Sequence, residues 1–590
     1  MSISAELFTA ILAARLPMKL GEGRMRGPGG ARLGHFARSA VRQVSQAGSS
    51  RYLITARGFN GAPEAQNYAN KLLVLVDGRT AYSPLFSGVY WDMQAVVPQD
   101  LDRIEVISGP GATLWGANAV NGVINITTRN SVDTQGGLLV AGYGDRERRA
   151  TLRYGGRISE GLTYRVYATA FQTDDSHAVG GGRNNDHWSL PQAGFRADLA
   201  ASARDLITLQ GDLYDGFEAQ AGAPAQSVRG GNLTSRWTRS LDGGGVLQVQ
   251  AYYDRAERGD EVDGSGFEVD TYDLDLQHSF EIGRHAIVWG GGYCRVRYRI
   301  DGSPQIFFEP AARDLSLANV FVQDTVALRD DLSLVAGVKL EADPYVRAVL
   351  LPNVRLSWRP ADQVTLWAAA SRAVRAPTPF DRDVVEILGG QRFLVAGGGF
   401  RSERLNAYEV GLKAQFTARS LVSVSAFYND YDRLRSIEPA RGSFIPLRWD
   451  NRMAGRTYGL EAWGSLQVTE AWRVGAAANY LDGKFRFTEG ASGLLGPRQA
   501  GNDPKYQARL TSMVDLGPTV TLHAILRYVS AMPEPRLPAY TELNARLGWA
   551  LSDRVELSLS GANLLHRRHR EYVDGAEIPR SVYVELQWRF

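Results

Sequence analysis

From about Gly136 to the carboxy-terminus, apolar and polar residues alternate in short runs. Val354, Leu356 and Trp358 alternate with Asn353, Arg355 and Ser357, and Val555, Leu557 and Leu559 alternate with Glu556 and Ser558. A period of two places the sets on opposite faces of a strand. Similar runs at 149–154, 163–171, 207–214, 246–253, 332–340, 421–428, 458–466 and 473–480 predict strand after strand, and no helical period of useful length interrupts them. Short connections such as Arg329-Asp330-Asp331 and Pro360-Ala361-Asp362 contrast with long polar loops predicted at 174–187, 257–270, 375–404, 430–451 and 482–503. Short turns at one end and long loops at the other are the expected asymmetry of a membrane β-barrel. No stretch approaches the roughly 18 consecutive apolar residues of a spanning helix, a test that alternating barrel strands escape.

Upstream the texture is mixed. Leu72 to Val76 is a continuous apolar run stopped by Asp77-Gly78, which predicts a buried strand entering a tight turn. Leu101, Arg103, Glu105 and Ile107 alternate with Asp102, Ile104 and Val106 until Gly109-Pro110-Gly111 ends the run; Gly116 and Gly122 frame 118–121, and 123–128 predicts another strand. Together these make a small domain of roughly 75 to 80 residues. Ahead of it, the apolar run 8–14 follows Glu6 with no basic flank and no clear cleavage site, a poor signal peptide. Residues 15–51 hold eight Arg or Lys against the single acid Glu22, with Gly27-Pro28-Gly29-Gly30, which predicts disorder or weak helix. The chain therefore divides into a basic segment at 1–51, a compact domain at 52–130 and a strand-rich region at 131–590.

Length and charge narrow the class. The 590 residues exceed one ordinary globular core, so several domains or one very large sheet must absorb them. A formal charge of +3 gives no global footprint for nucleic acid. Aromatic residues at 10% with 63 glycines suit a β-protein with many turns and aromatic girdles. The single cysteine, Cys294, excludes an intramolecular disulfide and reads as a small packing residue.

Three motifs carry a family resemblance: KLLVLVDGR at 71–79, DLDRIEVISGPGATLWG at 100–116 and ANAVNGVINITT at 117–128. They resemble the plug domain of TonB-dependent outer-membrane receptors, which has an apolar strand ending in VDG, an IERIEV strand, an RGP turn, a YG turn and GGVINIIT. At the other end, SVYVELQWRF puts Val582, Val584, Leu586, Trp588 and Phe590 on one face and Tyr583, Glu585, Gln587 and Arg589 on the other. This strand resembles the assembly signal of outer-membrane barrels, carried by Phe590, and GANLL at 561–565 with Tyr572 resembles the family's closing segment. The resemblance implies an all-β dominated fold, a 22-stranded antiparallel transmembrane β-barrel with a small N-terminal α+β plug domain inside the lumen. About 21 residues per strand and connection are then available, ample for roughly 10-residue strands.

The resemblance also implies site residues. Glu409 in AYEVGLK and Glu461 in YGLEAWG match positions where the family places wall carboxylates facing plug arginines. Arg57, in ITARGFN, matches the first arginine; at the second stands Ser108, and Arg103 nearby has a different spacing. A carboxylate away from bulk water must be paired or solvated, so the other reading of Glu409 and Glu461 is hydration by lumen water. The aromatics Tyr82, Phe86, Tyr90 and Trp91 of YSPLFSGVYW form either an apex near the ligand or plug-to-wall packing.

Other constellations read more plainly. Gly111 and Gly116 have the phosphate-loop spacing, but Ala117-Asn118 stands where Lys and Ser or Thr are required, so Gly109, Gly111, Gly116 and Gly122 are assigned to turns of positive φ and close packing against the wall. Asp260, Glu261 and Asp263 do not fit a calcium-loop register and read as a solvated loop. His566 and His569 in HRRH sit among arginines that oppose a metal, and read as solvated or facing lipid phosphate. With no GxSxG, HExxH or paired Cys motif, neither an enzyme nor a metal or cofactor site is expected.

The function implied is TonB-dependent import of a scarce ligand across the bacterial outer membrane, most often an iron-siderophore complex or similar metal chelate. Cobalamin, haem, nickel chelates and oligosaccharides use the same architecture. The implied partners are the TonB–ExbB–ExbD complex, the barrel assembly machinery and outer-membrane lipids. Because no TonB box, signal peptide or first plug strand and helix is recognisable before ITARGFN, a passive porin-like or surface-binding barrel, a truncated inactive receptor, and a shifted reading frame over the first 50 residues stand as alternatives.

Overall fold

The computed structural model describes residues 43–60, 69–260, 262–440, 444–501, 503–533, 536–573 and 575–590. The apolar run 8–14 and the basic segment up to residue 42 lie outside the described residues. Residues 136–589 form a closed, 22-stranded antiparallel barrel. The last strand, Ser581–Arg589, closes it by pairing antiparallel with the first, Gly136–Gly144. Leu152, Leu213, Val410 and Leu510 point outward and are exposed, while neighbours such as Thr151, Arg153, Asp212, Glu409 and Arg509 turn polar side chains into the lumen; beside the exposed Leu350, Val349 and Leu351 pack against the plug. Trp358, Trp472, Trp549 and Trp588 are exposed near the short-turn rim, and Tyr143, Tyr408, Tyr506 and Tyr528 near the long-loop rim. This is the belt and paired girdle that hydrocarbon and headgroups select.

The strands run from 8 to 23 residues, the longest being Leu447–Thr469. A span needs only about 9–11 residues, so the long strands stand clear of the membrane on the long-loop side. Several expected loops are therefore strand. Residues 257–260 and 266–270 are the ends of Val246–Asp260 and Gly266–Ile282, and Ser420–Pro439 pairs with Leu447–Thr469 as far as Pro439 opposite Leu447. Beyond the hydrocarbon both faces of a strand can be polar, which removes the alternation by which sequence reveals it. Residues 376–402 carry a short helix, Pro379–Arg382, and the strands Val384–Leu388 and Gln391–Val395.

Inside the lumen lies the plug, which among the described residues has six strands: β1 (Gln43–Gln46), β2 (Tyr52–Thr55), β3 (Leu72–Val76), β4 (Arg79–Thr80), β5 (Leu101–Ser108) and β6 (Gly122–Thr128). The last four make one sheet in the order β4-β3-β6-β5, with β3 and β6 parallel at its centre. The apolar runs of β3 and β6 read as buried on both faces, and Val74, Val123, Ile124 and Ile126 have no solvent exposure. A bulge between Leu101 and Arg103 breaks the predicted alternation of β5, turning Leu101 and Ile104 into the same core.

The expected boundary at residue 52 is corrected. β1 pairs with β2 in an antiparallel hairpin, and Val44 shares a buried core with Ile54, Val74 and Trp91. Residues 43–51 are thus part of the plug, including a strand expected to be missing before ITARGFN. Gln-Val-Ser-Gln has one apolar anchor, too little periodicity to be seen, and the arginines upstream dominate the local composition.

Candidate functional site

Arg57 follows β2 in a left-handed backbone conformation (φ 56), which turns its side chain out of the plug toward the wall. Its Nη1 lies 2.7 Å from Glu409 Oε1, and its Nε and Nη2 each donate to Glu461 at 3.3 Å. All three side chains are buried, and the Phe427 ring covers the guanidinium at 4.3 Å. Burial by itself would lower the pKa of Arg57, but Glu461 and Glu409 outweigh it and raise it, so the cation is locked in. Gly109 (φ +80) completes the cluster: a Cβ there would stand 2.6 Å from Glu409 Oε1 and 2.9 Å from Arg57 Nη1. Only a residue without a side chain lets the 109–111 turn approach this closely.

Arg103 is not the missing second arginine. It pairs with Asp102 at 2.8 Å and Glu105 at 3.1 Å, away from the cluster. A second plug cation reaches the same wall strand elsewhere. Lys71, just before β3, is ion-paired with Glu403, which also accepts from Arg375 Nε at 2.9 Å. Arg375 binds Asp381 at 2.7 Å and donates to the plug hydroxyl of Ser87 at 3.1 Å, while Arg435 reaches Asp381 at 3.4 Å. The first cluster holds one cation and two carboxylates; this one holds three cations and two carboxylates, all buried. Burial, with Arg375 and Arg435 adding to it against Glu403, brings the Lys71 ammonium down to about 8. Nothing in sequence marks Lys71 or Glu403, since a charge flanking a strand is ordinary.

Other ties surround these. Asp503 accepts from the backbone N–H groups of Phe59 and Asn60, each at 3.0 Å, and burial pushes its carboxyl up to about 6 against those two bonds. Asn118 accepts from Ala376 N at 3.0 Å, and its own N–H donates to Val374 at 2.8 Å; Tyr431 donates to Asn121 at 2.7 Å. Across the lumen Asp100 pairs with Arg153 and Arg165, and Arg79 meets Asp254 at 2.6 Å. Gly116 (φ +84) lies against Glu341, which accepts from Ala117 N at 3.0 Å. Gly111 and Gly122 pack inside the plug instead, against Trp115 and Ile107.

The aromatic segment divides. Tyr82 and Trp91 are buried in the plug, Tyr82 donating to Asn70 O at 3.0 Å. Phe86 and Tyr90 stand half-buried on the long-loop side, where Tyr90 stacks on Phe267 at 5.1 Å and Arg258 lies over the Tyr90 ring at 5.1 Å. A cavity of about 490 Å³ there is lined by Phe86, Tyr90, Trp91, Arg258, Phe380 and Tyr572.

The histidine segment is corrected. Arg568–Arg570 pairs with Glu577–Pro579, and His569 points inward to Glu571 at 3.0 Å under the Tyr540 ring, beside Arg527, which donates to Val44 O of β1 at 2.7 Å. Phe590 lies exposed against Trp588 at 4.8 Å, its main chain bonded both ways to Gly137. Cys294 is half-buried and faces the lumen.

Residues 120–564 match the family described as "TonB dependent receptor-like, beta-barrel", and residues 32–123 match "TonB-dependent Receptor Plug Domain". The iron-regulated outer membrane virulence protein of Vibrio cholerae is 24% identical over 562 residues, covering 84% of this chain and 81% of that protein. The pesticin receptor of Yersinia pestis is 29% identical over 590 residues, covering 89% and 84%. Among solved structures, the FrpB iron transporter of Neisseria meningitidis superposes with a TM-score of 0.78 at 14% identity (94% and 95% covered), and the siderophore receptor PirA of Acinetobacter baumannii with 0.76 at 15% (94% and 95%).

Proposed function

Because the chain belongs to the TonB-dependent receptor family, whose members are outer-membrane receptors and not enzymes, we propose that it imports an iron-siderophore complex across the outer membrane, driven by TonB–ExbB–ExbD. The observation that carries this reading is how the plug is seated. Arg57 bridges Glu409 and Glu461 across a buried plug–wall interface, so the lumen is closed by a separate domain held through discrete polar ties. Apolar contacts share the interface, Phe59 and Val120 of the plug packing with Leu351, Leu405 and Met453 of the wall, and since none of these contacts is covalent, a mechanical pull can break and remake them. The ligand side is the long-loop rim. There the half-buried rings of Phe86 and Tyr90 offer apolar faces to a large chelate, and Arg258, held by Asp92 and Glu218, braces the Tyr90 ring. That relatives are named for iron regulation and siderophore reception supports the choice of cargo.

Uptake of a panel of iron-55-loaded siderophores into iron-starved cells, with and without a functional TonB, tests the proposal. At least one chelate accumulates only when both the receptor and TonB are present. Uptake that is equal without TonB would instead identify a passive channel.

A further inference from the structure

The outward face of the barrel is hollowed along one stretch. On the strands between 147 and 240 the lipid-facing positions include Ala150, Ala168, Ala170, Pro191, Ala193 and Gly231. Register sets them side by side: Ala150 lies opposite Ala170, Ala168 opposite Ala193, and Leu213 opposite both Ala193 and Gly231. Leu152, Leu213 and Leu233 stand exposed around them, and the result is an open apolar groove of about 990 Å³.

The groove crosses the strands from Glu147–Ser159 to Val246–Asp260, five strand spacings or about 24 Å. With strands tilted by about 45°, that is a depth of about 17 Å, close to one leaflet of a roughly 30 Å hydrocarbon core. At its long-loop end Gly231 stands opposite Arg255, and the lining turns from apolar to charged with Asp215, Arg229, Arg255 and Glu257 beside the Tyr253 ring. Arg229 pairs with Asp215 at 3.1 Å, and Arg255 with Glu257 and with Asp270, each at 3.3 Å. More than half of the Arg229 and Asp215 side chains is exposed, so such pairs exchange partners at little cost.

An empty apolar hollow forfeits the contacts of its lining, and water gains no polar partner there, so hydrocarbon fills it. The charged end selects the headgroup. A purely anionic one would meet Asp215 and Glu257 along with the two arginines, whereas one carrying phosphate and amine together gives the guanidiniums an anion and the carboxylates a cation. We propose that this groove is a binding site for one phosphatidylethanolamine of the outer leaflet, with an acyl chain against Ala168, Ala193 and Gly231 and the headgroup set among Asp215, Arg229, Arg255 and Glu257. The site depends on the lipid-facing wall alone, and neither on the cargo nor on TonB.

Filling the groove tests it. Ala168→Leu with Ala193→Leu occupies its floor, and Ala368→Leu with Ala370→Leu makes the same change at exposed positions on the far side of the ring. Barrels shown to be folded by heat-modifiability are purified in mild detergent, and native mass spectrometry counts and identifies the lipid they retain. Wild type and the far-side variant are expected to keep one phosphatidylethanolamine, with occupancy at least about tenfold lower when the floor is filled. Delipidated wild type titrated with phosphatidylethanolamine, phosphatidylglycerol and lipid A should bind the first about tenfold more tightly, and Arg229→Gln with Arg255→Gln should erase that preference. Equal retention by the filled and far-side variants, or none by wild type, overturns the site. Phosphatidylglycerol or lipid A binding as tightly as phosphatidylethanolamine overturns the headgroup assignment, and a wild-type dimer lost on filling the floor would make a second barrel the occupant instead.

Discussion

Arg57 is a principal tie of the plug to the wall, because two buried carboxylates share it. Arg57→Met takes the shared cation from both, and removing one side of such a buried cluster costs about 3–5 kcal/mol. Hydrogen exchange of the β3 and β6 amides is expected to accelerate by about a hundredfold or more, and adding Glu409→Gln with Glu461→Gln restores most of the protection. Asp503 sets a pH dependence. Its folded pKa of about 6 lies above the ordinary 3.8, so between pH 4 and 6 the folded chain holds the extra proton and this group's contribution to stability falls as pH rises. Measured against Asp503→Asn, wild-type protein should lose up to about 3 kcal/mol of relative plug stability from pH 4 to pH 7. A difference independent of pH would contradict this.

At the level of elements, the 82–91 segment shows how one motif serves two purposes. Trp91 is 6% exposed and lies in the β3–β6 core, so Trp91→Ala should lower plug stability by about 3–5 kcal/mol in denaturant unfolding. Tyr90 sits half-buried between Phe267 and Arg258; Tyr90→Ala should cost far less stability and show its effect in ligand affinity at the cell surface. Lys71 ties β3 to a second wall cluster, and Lys71→Met should loosen β3 in hydrogen exchange while β5 stays protected. The β1–β2 hairpin was illegible in sequence because four residues with one apolar anchor have no period. The strands β3 and β6 were legible because burial on both faces demands an unbroken apolar run.

For the whole molecule, the terminal strand closes the barrel, yet the Phe590 ring is 51% exposed. Deleting Phe590 should therefore reduce the amount of heat-modifiable barrel several-fold in cells while leaving the unfolding of assembled barrels nearly unchanged; a matching loss of stability would assign it a packing role instead. Sequence alone determined the architecture, because a strand with lipid on one face and lumen on the other must alternate, and because the plug strands and their glycine turns must be written in order along the chain. It also offered Arg57, Glu409 and Glu461 through their motifs. Tertiary structure alone decided that these three groups meet, that Lys71 and Glu403 form a second cluster, and that polar segments read as loops continue as strand. Such contacts join residues far apart in sequence, 404 positions for Arg57 and Glu461, and depend on the barrel's closure and register.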